Sequence, residues 1–142
     1  MDEALVALHF NSEIQKLDKL VSEWLGPDRV IQDGKTIFVK LQKIDGAIEF
    51  LLSIDVGEKF PLEPANYIFV NPTTKHDDDL AYWPTYNQDA FKSNENPRWI
   101  CIAGTLAYKI HHADHQYNPK INTLNQTVFH IFREINGWKK NA

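Results

Sequence analysis

Apolar residues recur every three or four positions in the first part of the chain, with polar residues between them. This period places the apolar side chains on one stripe of an amphipathic helix. The positions on the stripe are Phe10, Ile14, Leu17, Val21 and Trp24. Ser12 and Gln15 form a capping box at the helix start, or the helix begins earlier, near Asp2. Gly26-Pro27 predicts its end, because a glycine followed by a proline stops a helix.

After this helix, apolar and polar residues alternate. A period of two is typical of a strand that is buried on one face. The apolar positions are Ile37, Val39, Leu41, Ile48, Phe50, Leu52 and Ile54. Asp45-Gly46 divides them into two strands, because this pair suits a tight hairpin turn. Asp33-Gly34 predicts a similar turn after a short strand at Val30-Ile31. Residues 67–70 predict a fourth strand, and the prolines on either side of it suit strand ends.

The helical period returns only near the end of the chain, after a long irregular segment. That segment, about residues 71–97, carries several aromatic residues, so we expect it to fold back onto the body and to be functional. The closing helix is predicted over about residues 122–138, with Asn122 or Thr123 as its N-cap and Gly137 at its end. Its apolar stripe consists of Leu124, Val128, Ile131, Phe132 and Ile135.

These elements predict one α+β domain over residues 1–142, with an N-terminal helix, a four-stranded antiparallel meander, a long irregular segment and a C-terminal helix. The composition is that of a globular domain, 43% hydrophobic and 24% charged. The net charge is −4 and the basic residues are scattered. This argues against nucleic acid as a partner, because phosphate binding needs clustered lysine and arginine. We expect no secretory signal and no membrane span, which needs about 20 apolar residues.

Cys101 is the only cysteine of the chain. No internal disulfide can form, and a reducing cytoplasm fits best. Cys101 stands between Ile100 and Ile102, where a cysteine is more often a small buried hydrophobe than a nucleophile. No adjacent lysine and no glycine-rich helix start marks an activated thiol. The immediate neighbours therefore do not assign Cys101 a chemical role.

Three segments in the second half of the chain resemble the ubiquitin-conjugating enzyme family. Phe60-Pro61-Leu62-Glu63-Pro64, running on to Val70, is similar to the family's Tyr-Pro-x-x-Pro-Pro stretch before its third strand. Trp99-Ile100-Cys101-Ile102 is similar to the Gly-x-Ile-Cys-Leu segment that holds the active cysteine. Asn118-Pro119, with Thr123-Leu124 and the helix after it, is similar to the family's Trp-x-Pro, Thr-Leu and closing helix. Before residue 60, only the order of elements matches the family.

The resemblance implies an enzyme that carries a ubiquitin-like protein as a thioester and passes it to an amine of a target. Cys101 is then the nucleophile and the acyl carrier. Asn96, with Asn94 as the second candidate, is expected to donate a hydrogen bond to the developing oxyanion. Both asparagines are equally well explained as turn residues ahead of Pro97. No cofactor is implied.

The chain also departs from the family. The His-Pro-Asn tripeptide that precedes the active cysteine is missing, although Asn94 and Asn96 lie near its place. Asn118 stands where the family has a tryptophan. The chain ends soon after Trp138, without the family's additional C-terminal helices. This form resembles compact bacterial relatives found in antiphage operons, some of them beside cyclic-nucleotide synthases and ubiquitin-activating-like enzymes.

The same resemblance implies the partners. They are a ubiquitin-like protein, a ubiquitin-activating-like enzyme and a protein target, for which a cyclic-nucleotide synthase is one candidate. Neither nucleic acid nor a membrane is among them. In the family the exposed face of the first helix meets the activating enzyme. Glu13, Lys16 and Lys19 are therefore expected contacts.

A histidine-rich stretch, His111-His112-Ala113-Asp114-His115, follows the cysteine. Imidazole and carboxylate groups are zinc ligands, but adjacent ligands seldom complete a tetrahedral site, and no further ligand sits at a standard spacing. We therefore predict no metal. His112 and His115 are candidate general bases for the incoming amine. The plain alternative is a solvated polar loop.

Two other functions compete with conjugation. The first is a binding module of the same fold with Cys101 inert in the core, which the missing His-Pro-Asn favours. The second is a cysteine hydrolase that pairs Cys101 with a histidine of the later stretch. Such hydrolases usually place the nucleophile at a helix start, whereas Cys101 lies in an apolar run.

Overall fold

A computed structural model of the chain describes residues 3–42, 44, 49–71, 98–99, 103–111 and 117–137. Three helices and five strands lie within these residues. In chain order they are α1 (Glu3–Leu25), β1 (Val30–Asp33), β2 (Thr36–Gln42), β3 (Glu49–Asp55), β4 (Asn66–Asn71), β5 (Arg98–Trp99), α2 (Leu106–His111) and α3 (Leu124–Gly137). Almost all of the predicted irregular segment lies outside the described residues.

The strands form one antiparallel sheet in the order β1-β2-β3-β4-β5, so each strand pairs with the next along the chain. Phe38 lies opposite Ile31 on one side and Ser53 on the other, and Ser53 lies opposite Ile68. The predicted α+β fold, with an N-terminal helix, a four-stranded antiparallel sheet and a C-terminal helix, is confirmed. The structure adds β5 and α2, which are too short for their periods to be recognised in the sequence.

α1 begins at Glu3, close to the earlier of the two predicted starts. An acidic residue in the first turn suits the positive end of the helix dipole. The first two turns lie at the edge of the body, where Leu5 and Leu8 are 59% and 65% exposed. Further along the helix, Leu17 and Val21 are fully buried. The predicted stripe therefore anchors the second half of α1 most firmly.

α1 ends at Leu25, as Gly26-Pro27 predicts. Gly26 has a φ of 94°, and its N–H donates to the carbonyl of Ser22 at 2.9 Å. This left-handed ending is the conformation that favours glycine. Arg29 then joins the helix end to the sheet, because its guanidinium donates to the carbonyls of Leu25 and Lys40, each at 3.1 Å.

The hydrophobic core lies between one face of the sheet and the two long helices, α1 and α3. β2 shows the predicted alternation of buried and exposed residues. Its side chains Ile37, Val39 and Leu41 are fully buried, and the residues between them are partly exposed. The two helices meet through the stacked rings of Trp24 and Phe132, whose centroids are 4.5 Å apart. Within the described part of the chain, no helix is long and apolar enough to cross a membrane.

Candidate active site around the cysteine segment

The five candidate catalytic residues, Cys101, Asn96, Asn94, His112 and His115, lie outside the described residues. Their predicted roles remain predictions. The chain on both sides of the cysteine is described, because β5 ends two residues before it and the described chain resumes two residues after it. The structure therefore shows how the chain is held on each side of the cysteine segment.

The flank that enters the segment belongs to the sheet. Trp99 pairs with Ile68 and Arg98 pairs with Phe69, both in the antiparallel ladder of β4 and β5. Phe69 is fully buried in the core. Main-chain pairing with a core strand fixes both the position and the direction of the chain that leads to Cys101.

The flank that leaves the segment is a buried turn against α3. Gly104 has a φ of 101°, a left-handed conformation that residues with a Cβ rarely adopt. A Cβ placed on Gly104 would overlap the Thr127 hydroxyl oxygen and would also touch Cβ of Thr127 at 3.4 Å. Both the backbone conformation and the space therefore require glycine here.

The turn continues into α2, whose start is held by two hydrogen bonds. Thr105 is 1% exposed, and its hydroxyl accepts from the Tyr108 N–H at 3.1 Å, the geometry of an N-cap. The Leu106 N–H donates to the carbonyl of Ala65 at 2.8 Å. Ala65 belongs to the proline-rich stretch before β4, so this stretch is joined directly to the chain that follows Cys101.

Two of the three segments that carry the resemblance, the proline-rich stretch and α3, thus contact the chain that follows the cysteine segment. The proline-rich stretch contacts the start of α2 through Ala65 and Leu106. α3 contacts the turn through Thr127 and Gly104. The described flanks of the cysteine segment are therefore held by the sheet before it and by α3 after it.

α3 also receives an N-cap from another part of the chain. Of the two predicted caps, Thr123 is the one that the structure confirms, because its hydroxyl accepts from the Gln126 N–H at 3.2 Å. The Leu124 N–H donates instead to Oε1 of Glu13, at 3.0 Å, in the middle of α1. Oε2 of Glu13 lies 2.9 Å from Nε2 of His9. α1 therefore supplies a negative charge at the positive end of α3.

Glu13 corrects one expectation from the sequence. It was expected on the exposed face of α1 as a contact for an activating enzyme, but it is only 6% exposed. Burial is tolerated because its oxygens meet an N–H donor and an imidazole. Lys16 and Lys19 are exposed, as expected, and their role as contacts stays a prediction.

Two tyrosines stand near this carboxylate. Burial raises the pKa of Tyr67 far above its usual value, the Glu13 charge raises it further, and the Thr127 hydroxyl partly opposes the shift. Burial, with a smaller contribution from Glu13, raises the pKa of Tyr117 to about 12. Both phenols are therefore neutral at physiological pH and can donate hydrogen bonds but not accept protons. Neither tyrosine was a candidate in the sequence.

The described residues form no group of three or more histidine, cysteine, aspartate or glutamate side chains that could hold a metal ion. Of the histidine-rich stretch, only the main chain of His111 is described, at the end of α2. On the surface beside α2, Nζ of Lys109 lies 3.6 Å from Oε1 of Glu63, a half-exposed ion pair. Exposed pairs of this kind contribute little to stability.

A cleft of about 440 Å³ lies next to the same surface. Its walls are the end of β3, the loop after it and the first residue of α2, Leu106. The acidic side chains on this wall are Asp55, Glu58 and Glu63.

In comparisons with known proteins, no family model, no curated protein and no solved structure matches the chain.

Proposed function

We propose that the chain is a ubiquitin-conjugating-like enzyme that carries a ubiquitin-like protein as a thioester on Cys101. The observation that supports this most strongly is the convergence of three segments, the proline-rich stretch, the turn after Cys101 and α3. The proline-rich stretch and α3 belong to the segments whose residues resemble the conjugating enzymes, and the turn follows directly after the third such segment, Trp99-Ile100-Cys101-Ile102. A thioester carrier can act without a base paired to its cysteine, because thioesters are already reactive toward amines.

The reaction proceeds in two transfers. The Cys101 thiolate attacks the thioester between an activating enzyme and the C-terminal glycine of the ubiquitin-like protein, and the activating enzyme's thiol leaves. An amine of the target then attacks the Cys101 thioester, forms an amide and releases the cysteine thiol. Asn96 or Asn94 stabilises the oxyanion of the second step, and His112 or His115 accepts the proton of the amine. The setting that we propose is bacterial antiphage defence in the cytoplasm, with a cyclic-nucleotide synthase as a candidate target.

The test is a charging reaction with the purified chain, a ubiquitin-like protein, a ubiquitin-activating-like enzyme and ATP. The proteins used are those encoded beside this chain's gene. We expect an adduct that thiol reductants remove from the wild type. Cys101→Ser should give an adduct that resists reductant, because an ester replaces the thioester, and Cys101→Ala should give none. A wild type that stays unmodified while the activating enzyme itself becomes charged would refute the proposal.

A second reading, a non-catalytic binding module, is favoured by one observation, the absence of His-Pro-Asn before Cys101. Discharge onto free lysine separates the two readings. In the conjugating enzyme, Asn96→Ala or Asn94→Ala should form the thioester but lose about 10²–10³-fold in discharge rate, as expected for a lost oxyanion donor. In the binding module, no thioester forms with any of these variants.

A further inference from the structure

The sheet face that points away from the two long helices carries a row of apolar side chains. The strand register aligns this row across β1 to β4, where it consists of Ile31, Phe38, Ser53 and Ile68. Ile31 is 46% exposed, Phe38 and Ile68 are partly exposed, and none of the three belongs to the hydrophobic core. The open face of an antiparallel sheet is usually polar, because its residues meet water. An apolar row on this face therefore indicates a surface that a partner covers.

The two ends of this face carry opposite charges. At one end Asp33 and Asp55 flank Thr36, and the Asp55 carboxylate accepts a hydrogen bond from the Thr36 hydroxyl at 2.7 Å. At the other end Lys40 lies beside Arg29, whose carbonyl accepts from the Lys40 N–H at 2.9 Å. Among the described residues, Lys40, Asp33 and Asp55 have no ion-pair partner. These three charges are therefore available to a partner.

The neighbouring charged residues preserve this polarity. Glu49 lies at the rim of the basic end, opposite Gln42, and leaves that end with two positive charges against one negative charge. Lys35 is the base nearest to the acidic end, but it lies on the other side of the sheet, where it lines a groove with α1. A face with an apolar middle, an acidic end and a basic end is complementary to a second copy of itself.

We propose that this face is the interface of a homodimer, in which two copies of the chain pack sheet against sheet. A two-fold axis along the apolar row places row on row and brings Lys40 of each copy over Thr36 and Asp55 of the other. Because a two-fold interface uses the same surface on both copies, each attractive pair forms twice. Face-to-face sheets lie about 10 Å apart, a distance that interdigitating side chains fill. The dimer does not depend on the function proposed for Cys101.

The size of the face sets the affinity. Strands spaced about 4.8 Å apart, with residues about 3.3 Å apart along each strand, give a patch of about 15–20 Å on each side. This area is at the lower end of specific protein interfaces, where association is weak and reversible. We therefore expect a dissociation constant of about 1–100 μM.

Sedimentation equilibrium of the full chain, at concentrations from about 1 μM to 1 mM, measures this constant. Lys40→Glu and Asp55→Lys each place like charges opposite one another at two symmetric positions. Each should raise the dissociation constant at least about tenfold, because like charges across an interface repel. Lys19→Glu and Asp18→Lys are the matched controls, since they make the same charge changes at exposed positions of α1. Both controls should stay within about twofold of the wild type.

An equimolar mixture of Lys40→Glu and Asp55→Lys tests the pairing between copies. In a mixed dimer the new glutamate of one variant meets the new lysine of the other, and the unchanged Lys40 meets the unchanged Asp55. Both pairs are then attractive, so the mixture should dimerise with about the wild-type dissociation constant although neither variant does so alone. A fold defect in either variant would not be repaired by mixing.

Three results would overturn the proposal. The first is a wild type that remains monomeric over the whole concentration range. The second is a dimer that neither charge variant weakens, because it would use another surface. The third is a mixture that associates no more than its two components do alone. Circular dichroism checks the fold of each variant. If Asp55→Lys unfolds on losing its hydrogen bond with Thr36, Asp33→Lys at the same end takes its place in the mixture.

Discussion

Removal of the Glu13 carboxylate should destabilise the fold by breaking the link between α1 and α3. Glu13 is 6% exposed, and Oε1 is the acceptor for the Leu124 N–H at 3.0 Å. In Glu13→Ala this N–H stays buried without an acceptor, and His9 loses the oxygen 2.9 Å from its ring. Gln at the same position keeps an oxygen for the N–H but removes the charge.

The magnitude follows from the contacts that are lost. A hydrogen bond to a charged group contributes about 1.5–3 kcal/mol, and truncation of a buried side chain adds to the loss. We therefore expect Glu13→Ala to lower the free energy of unfolding by about 2–4 kcal/mol and Glu13→Gln by about 1–2 kcal/mol. The free energy of unfolding of a typical domain is about 5–15 kcal/mol, so the loss expected for Glu13→Ala is a large part of it.

Urea unfolding followed by circular dichroism at pH 7 measures these differences. Glu23→Gln is the matched control, because it changes the same charge on an exposed position of α1, and it should stay within about 0.5 kcal/mol of the wild type. Hydrogen exchange adds a local readout, since the Leu124 amide should lose protection in Glu13→Ala. If Glu13→Ala unfolds at the same urea concentration as Glu23→Gln, the carboxylate does not hold the two helices together.

Two further predictions concern the turn and the buried phenols. Gly104→Ala should cost at least about 2 kcal/mol in urea unfolding, because it adds a steric overlap with Thr127 to the strain of a left-handed residue. Gly34→Ala, with a φ of 61° and open space around it, should cost only about 1–2 kcal/mol, and equal losses at both positions would contradict the role of the overlap. The raised pKa values of Tyr67 and Tyr117 mean that the folded chain keeps protons that the unfolded chain releases above about pH 10. The free energy of unfolding should therefore be independent of these groups below pH 10 and fall as the pH rises toward 12, and a Tyr67→Phe variant with the same slope as the wild type would refute this.

The regular elements could be predicted because their signals are periodic and local. The stripe of α1, the alternation in β2 and β3 and the turn at Asp33-Gly34 each need only a short window of sequence. Thr123 as a cap and Gly26 as a helix end follow from equally local rules. β5 and α2 could not be predicted, since two and six residues are too few to establish a period.

Glu13 shows where such local rules fail. It stands three residues after Phe10 and four before Leu17, so its spacing already placed it on the apolar stripe. A charged residue on a stripe requires a partner, and the partner here is the Leu124 N–H, 111 residues away. No periodic pattern connects residues so far apart, so the sequence gives no sign of this partner. The prediction therefore followed the charge of Glu13 and placed it on the exposed face of α1, although its spacing placed it on the apolar stripe.

The same reasoning explains why the sequence proposes segments of a candidate site but does not predict the contacts that support them. Each segment carries residues that resemble a conjugating enzyme, and resemblance requires only their order along the chain. The supports are contacts between segments, Ala65 with Leu106 and Gly104 with Thr127. Glycine and threonine are too common to signal such a contact in one sequence.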